Sequence, residues 1–174
     1  MGRDDGNFGA GCNPPHTSEA DDFLLWAQGL VYIKTEENQK ALNYFRKAVE
    51  LNPDNDQAWV SLGMMHKLMG DEALSIANLE KAIDVNPYNA AALKQLTSFT
   101  LKNSDKFAST FAHLEFYLSE FCFDDEINLC NVQLLCQTKN WELAQLEVEK
   151  LILHEPESLS YINIKNSMIE AQMV

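Results

Sequence analysis

The chain has 174 residues, enough for one domain or one short array, and its 46% hydrophobic share supports a continuous core. Its 26 acidic residues against 13 basic ones give a net charge of −13, which repels phosphates and excludes a duplex-binding protein. The apolar content excludes a wholly disordered chain, and no apolar run approaches the roughly twenty residues that a membrane-spanning helix needs.

The first stretch, "MGRDDGNFGAGCNPPHT", is rich in Gly, Asn, Asp and Pro. It has no face to bury, so residues 1–17 read as a flexible tail. It lacks the apolar centre of a secretory signal, and Gly6 stands where a myristoylation signal carries Ser or Thr.

From Ser18 onward, Phe23, Leu24, Trp26, Ala27, Leu30, Val31 and Ile33 recur at three- and four-residue steps, which predicts a helix. "KTEEN" breaks the pattern. A second helical run follows, with Ala41, Leu42, Tyr44, Phe45, Ala48, Val49 and Leu51, and it stops at "LNPDN" because Pro53 disfavours helical geometry before it. The cycle then repeats: "QAWVSLGMMHKLM" as a helix, "GD" as a turn, "EALSIANLEKAIDV" as a helix, "NPYN" as a stop. Connections this short force antiparallel helical hairpins. No segment alternates with a period of two, so no sheet is expected.

The chain also repeats itself. "KAVELNPDND" begins at Lys47 and "KAIDVNPYNA" at Lys81, with Pro53 and Pro87 34 residues apart. A helix–turn–helix unit of this period, with Gly29, Tyr32, Ala41, Phe45 and Ala48 in one copy and Trp59, Leu62, Gly63, Ala82 and Pro87 in the next, resembles the tetratricopeptide repeat. The copies are 22–55, 56–89, a degenerate 90–124 with no glycine or closing proline, and 125–158 with Trp141, Ala144 and Pro156. Pro87 to Pro156 is 69 residues, one more than two periods, so the third copy carries an extra residue. The second copy departs from the pattern at His66 and Ser75. Residues 159–174 form a capping helix for the last apolar face. The resemblance implies an all-α right-handed superhelix of about four hairpins plus that cap, spanning 18–174.

The small residues at fixed positions let helices approach closely, and Tyr32, Phe45 and Trp59 fill the remaining space. In this family the first helix of each hairpin lines a concave wall that holds a partner peptide or helix. Carried over by position, the wall here is Trp26, Leu30, Ile33, Lys34, Val60, Met64, Lys67, Leu68, Lys94, Gln95, Ser98 and Lys102, with Leu129, Cys130, Gln133, Cys136 and Gln137 from the fourth copy. It carries four lysines and one carboxylate, Glu126, so the wall is less acidic than the chain and suits a neutral or mildly acidic peptide with apolar anchors. Lysines that snorkel at helix ends are the plainer explanation. The carboxylate clamp of one subfamily, which grips chaperone C-termini, is not expected. Its positions carry Trp26, Leu30, Ser61, Ala91 and Gln95, or, one copy on, Val60, Met64, Gln95, Glu126 and Cys130.

No catalytic or metal-binding spacing is present. His16, His66, His113 and His154 are scattered, and Cys12, Cys122, Cys130 and Cys136 form no C-x-x-C pair. They read as reduced thiols of a cytoplasmic protein. The acid pairs Asp21–Asp22 and Asp124–Asp125 read as helix-start charges. The expectation is a non-catalytic scaffold or adaptor without a cofactor, binding a protein or peptide. The alternatives are a dedicated chaperone of a secreted or assembling client, with self-association into a homo-oligomer, and one module of a larger ciliary or cell-cycle complex.

Overall fold

The computed structural model describes residues 18–172, and the expected tail lies outside them. The described residues form nine α-helices: α1 (Ser18–Lys34), α2 (Asn38–Leu51), α3 (Asp56–Leu68), α4 (Glu72–Val85), α5 (Ala90–Thr100), α6 (Phe107–Glu120), α7 (Asp125–Gln137), α8 (Trp141–His154) and α9 (Leu159–Gln172). They contain no strand. The helices pair as hairpins α1–α2, α3–α4, α5–α6 and α7–α8, which stack in chain order into a superhelix, and α9 packs on α8.

Local chemistry sets the helix ends. Asn55, Asp71, Asn89 and Asp124 each accept a hydrogen bond from the backbone N–H three residues on, which caps α3, α4, α5 and α7. Three hairpins turn in three residues through a left-handed position, held by Glu36 (φ 60°), Gly70 (φ 82°) and Lys139 (φ 58°). The next N–H reaches back to close each helix: Glu37 to the Tyr32 carbonyl, Asp71 to His66, and Asn140 to Leu135, each at 2.9 Å. The third hairpin differs. Its α5 stops at Thr100, and its turn includes a 3-10 segment, Ser104–Lys106, before α6. The extra residue of the third copy is absorbed there.

The glycines permit close helix crossing. A Cβ on Gly29 would lie 2.4 Å from the Phe45 ring, and one on Gly63 would lie 2.8 Å from the Leu79 side chain. In the third and fourth hairpins the same position is Thr97 and Val132. There α5 and α6, and α7 and α8, pack against each other far less extensively than α1–α2 or α3–α4. The side chain on the first helix holds the second away.

The core runs along the stack in three clusters. Ala41, Leu42, Phe45, Ala48 and Leu62 centre the first part, and Leu79, Leu93, Leu96, Leu114 and Leu134 the second. Val132, Leu135, Ala144, Val148 and Met168 close it against α9. His66 and Ser75, where the second copy departs from the repeat pattern, are both buried. Ser75 Oγ finds its partner in the Gly63 carbonyl at 2.7 Å.

One expectation is corrected. Asp21 and Asp22 do not precede a helix but lie within α1. Asp22 is buried, and its Oδ2 accepts from Asn52 Nδ2 at 3.0 Å and Asn55 Nδ2 at 2.6 Å. Asp56 does the same with Asn86 at 2.6 Å and Asn89 at 2.8 Å. A carboxylate at the start of one hairpin thus clasps the turn that leads into the next. The third copy has Ala90 at this position, and in the fourth Asp125 accepts from the Tyr161 hydroxyl of α9 instead.

Candidate partner-binding wall

The first helices of the hairpins, α1, α3, α5 and α7, carry the wall. Helical spacing brings its residues to one side, but they differ in how open they are. Met64 is 50% exposed and Leu68 65%, so both stand free. Trp26 is half-buried: its Nε1 donates to Ser61 Oγ at 2.9 Å, and its ring lies 5.3 Å from that of the exposed Phe23. Leu30 packs partly into the core beside it. Ile33 and Lys34 are exposed at the end of α1. Val60 departs from the expectation of an open wall position. It is buried among Leu79, Ala82 and Leu93, so it supports the wall from behind.

The lysines divide into two kinds. Lys67 is half-buried and engaged: its Nζ donates to Gln95 Oε1 at 2.8 Å and to Ser98 Oγ at 3.1 Å, and it lies 5.0 Å from the centre of the Phe99 ring. Lys94 pairs with Glu126, the wall's one carboxylate. Lys67, Gln95 and Ser98 therefore form a polar bridge between α3 and α5, and Lys94–Glu126 forms one between α5 and α7. Lys34 and Lys102 are exposed, and among the described residues no carboxylate pairs with either. They leave positive charge at the open ends of α1 and α5.

Beyond α5 the wall deepens into a hollow of about 610 Å3. Leu101, Leu129, Gln133 and Cys136 line one side, and Ile164, Ser167 and Ala171 of α9 the other. Sequence reasoning treated α9 as a lid on the last apolar face. It does bury Met168 against Val132 and Leu135, but it also supplies a wall of this hollow. The near-even polar and apolar mixture of "LSYINIKNSMIEAQ" gave little signal for that second role.

The chemical groups on this side are unactivated. Burial pushes the Cys130 and Cys136 thiols above their ordinary range, so both stay protonated at neutral pH. Among the described residues, no group of three or more His, Cys, Asp or Glu is placed to hold a metal ion. No helix among them is long and apolar enough to cross a membrane.

Comparisons with known proteins agree with this geometry. Sequence models of the tetratricopeptide repeat match residues 23–55 and 56–89. Cellulose synthase operon protein C of Escherichia coli K12 is 36% identical over 68 residues, which is 39% of this chain and 6% of that protein. The cell division cycle protein 27 homologue of Caenorhabditis elegans is 36% identical over 61 residues, 35% of this chain and 8% of that one. Photosystem I assembly protein Ycf3 of Acaryochloris marina is 32% identical over 60 residues, 34% of this chain and 36% of its own length. The chain thus matches less than a tenth of the first two relatives and about a third of the last. Among solved structures, MamA from Desulfovibrio magneticus RS-1 superposes with a TM-score of 0.69 at 14% identity, over 87% of this chain and 85% of that one. YrrB, described as a repeat protein with an unusual peptide-binding site, superposes at 0.68 and 14% identity, over 89% and 79%. Residues 23–89 are thus two consecutive tetratricopeptide repeats, and the same hairpin architecture continues to α9.

Proposed function

We propose that this protein is a non-catalytic adaptor that recruits a peptide or helix of a partner protein along its concave wall. The observation that carries this reading is the free apolar surface there. Met64 and Leu68 stand open beside half-buried Trp26, and the 610 Å3 hollow lies farther along the same side. Apolar groups grouped on a concave surface mark binding sites. Lys34 and Lys102 give the ends of the wall a positive character, which favours a neutral or mildly acidic ligand segment with apolar anchors. The wall presents Ser61 and Gln95 already engaged by Trp26 and Lys67, so a carboxylate clamp for chaperone C-termini is not part of the proposal. Reduced, protonated thiols fit a cytoplasmic setting.

Affinity purification with the chain and with Met64→Glu plus Leu68→Glu tests this. Both residues are exposed, so the double variant is expected to fold, keep its helical content and lose the partner. A partner retained at full yield sinks the concave-wall reading. The same exposed leucine and methionine also suit a chaperone that shields an apolar segment of one client. Co-expression separates the two: a chaperone raises the soluble yield of a single client, whereas an adaptor bridges two proteins that are soluble without it.

A further inference from the structure

The opposite side of the last two hairpins holds a second open volume. A cleft of about 510 Å3 runs between α6 and α8 with α7 as its floor. The matching junction one hairpin earlier, among Ile76, Leu96, Phe99 and Thr100, encloses about 30 Å3. The sequence explains the difference. At the position where the second and third copies bury Leu62 and Leu96, the fourth has Asn131. Asn131 is 5% exposed and lines the cleft, and its Oδ1 is buried with no hydrogen-bond partner among the described residues. A buried amide oxygen without a partner is destabilising, so a core leucine would be the better choice if stability alone mattered here. The neighbouring Asn128, at the place of Trp59 and Leu93, is committed elsewhere: its Nδ2 donates to the Cys122 and Asp124 carbonyls.

The walls have helical register. Phe111, Glu115 and Leu118 come from one face of α6, and Leu143, Glu147 and Leu151 from one face of α8. Such a trough, open along about two helical turns, accepts a row of side chains from the apolar face of a helix. Its charge is defined as well. Lys150 is occupied by Glu147 at 2.7 Å, which leaves the Glu115 carboxylate to set the sign, on a chain whose net charge is −13.

We propose that this cleft is a second docking site, separate from the concave wall, for an amphipathic helix of a partner protein with basic flanking residues. Apolar side chains of that helix enter between α6 and α8. A donor on it pairs with Asn131, whose soft terminal torsion lets the amide turn its oxygen into the cleft. Lysine or arginine at its edge faces Glu115.

Calorimetric titration of the full chain tests this with three synthetic helical peptides. One carries leucines at i, i+4 and i+7, a glutamine on the same face, and lysine flanks. The second has glutamate flanks, and the third has alanines in place of the leucines. The lysine-flanked peptide is expected to saturate one site, the glutamate-flanked one to bind at least tenfold more weakly, and the alanine one not to bind. Leu143→Glu, at an exposed position, is expected to abolish binding, while Leu74→Glu, equally exposed on α4, leaves it unchanged. Asn131→Leu is expected to raise the thermal midpoint and to weaken binding at least tenfold. Failure of the lysine-flanked peptide to bind overturns the proposal, as does binding that Leu143→Glu or Asn131→Leu spares. Binding removed by Met64→Glu places the peptide on the concave wall and overturns it too. A dimer in light scattering that Leu143→Glu dissolves assigns the cleft to a second copy. Affinity that rises when residues 2–17 are deleted assigns it to the chain's own N-terminal segment. Either result contradicts the partner-helix assignment.

Discussion

The first two hairpins and the last two are built on one plan but closed to different degrees. In the first two, a glycine lets the helices touch, and an aspartate clasps two asparagines at the junction to the next repeat. In the last two, Thr97 and Val132 stand where the glycines were, Ala90 replaces the first clasping aspartate, and Asn131 replaces a core leucine. The lesson is that a repeat can lose its packing signature and still fold, because each hairpin is held by its neighbours. What it loses is closure, and the two largest open volumes described above lie in this half.

That contrast can be broken by attacking the tight half. Phe45 is fully buried under Gly29, so Phe45→Ala should cost about 3–5 kcal/mol in chemical denaturation. Asp56→Ala strips two asparagine amides of one carboxylate acceptor and should cost about 2–3 kcal/mol. Asp125→Ala, which removes a single bond from Tyr161, should cost less than Asp56→Ala in the same assay. Gly29→Ala forces a methyl into the Phe45 ring and should cost about 1–3 kcal/mol, whereas Thr97→Ser, at the equivalent position of the open half, should change stability by less. Replacing Asn131 is the matching test of the loose half.

Smaller effects sharpen the comparison. Glu36 and Lys139 hold left-handed backbone that the second hairpin assigns to Gly70. Glu36→Gly and Lys139→Gly should each stabilise the chain by about 0.5–1 kcal/mol, since relief of the side-chain clash exceeds the added freedom of the unfolded glycine. In the open half, burial first and the bond to Asp124 second push the Tyr117 phenol up to about 12. The folded value lies above the ordinary tyrosine value of about 10. The stability this neutral phenol contributes is therefore complete below about pH 10 and lost as pH climbs through 12. An ultraviolet absorbance titration should show this late ionisation, and Asp124→Asn should move it to lower pH.

Much of this was legible in the chain. The 34-residue spacing of Pro53 and Pro87, with the small residues Gly29, Gly63, Ala48 and Ala82 at fixed positions, specified the hairpins and their close crossings. Side-chain commitments were not legible. Val60 sits at a wall position by register, yet the stacking of α3 on α4 and α5 turns it inward. Lys67 and Lys94 looked like free groove charges, but Gln95, Ser98 and Glu126 lie one repeat away and become neighbours only once the hairpins stack. The aspartate clasp had a visible signal, the recurrence of Asp22 with Asn52 and Asn55 and of Asp56 with Asn86 and Asn89. Reading Asp22 as a helix-start charge concealed it, because its partners lie about thirty residues downstream. The α6–α8 cleft depends on a leucine that is missing at position 131, which shows only when the third and fourth copies are aligned with their one-residue offset.

Hydrogen exchange measured amide by amide tests the division of the molecule most directly. Core amides of α2 and α4, around Phe45 and Leu79, are expected to exchange at least about tenfold more slowly than those of α6 and α8, around Leu114 and Val148. Equal protection along all four hairpins, or slower exchange in α6 and α8, would contradict it.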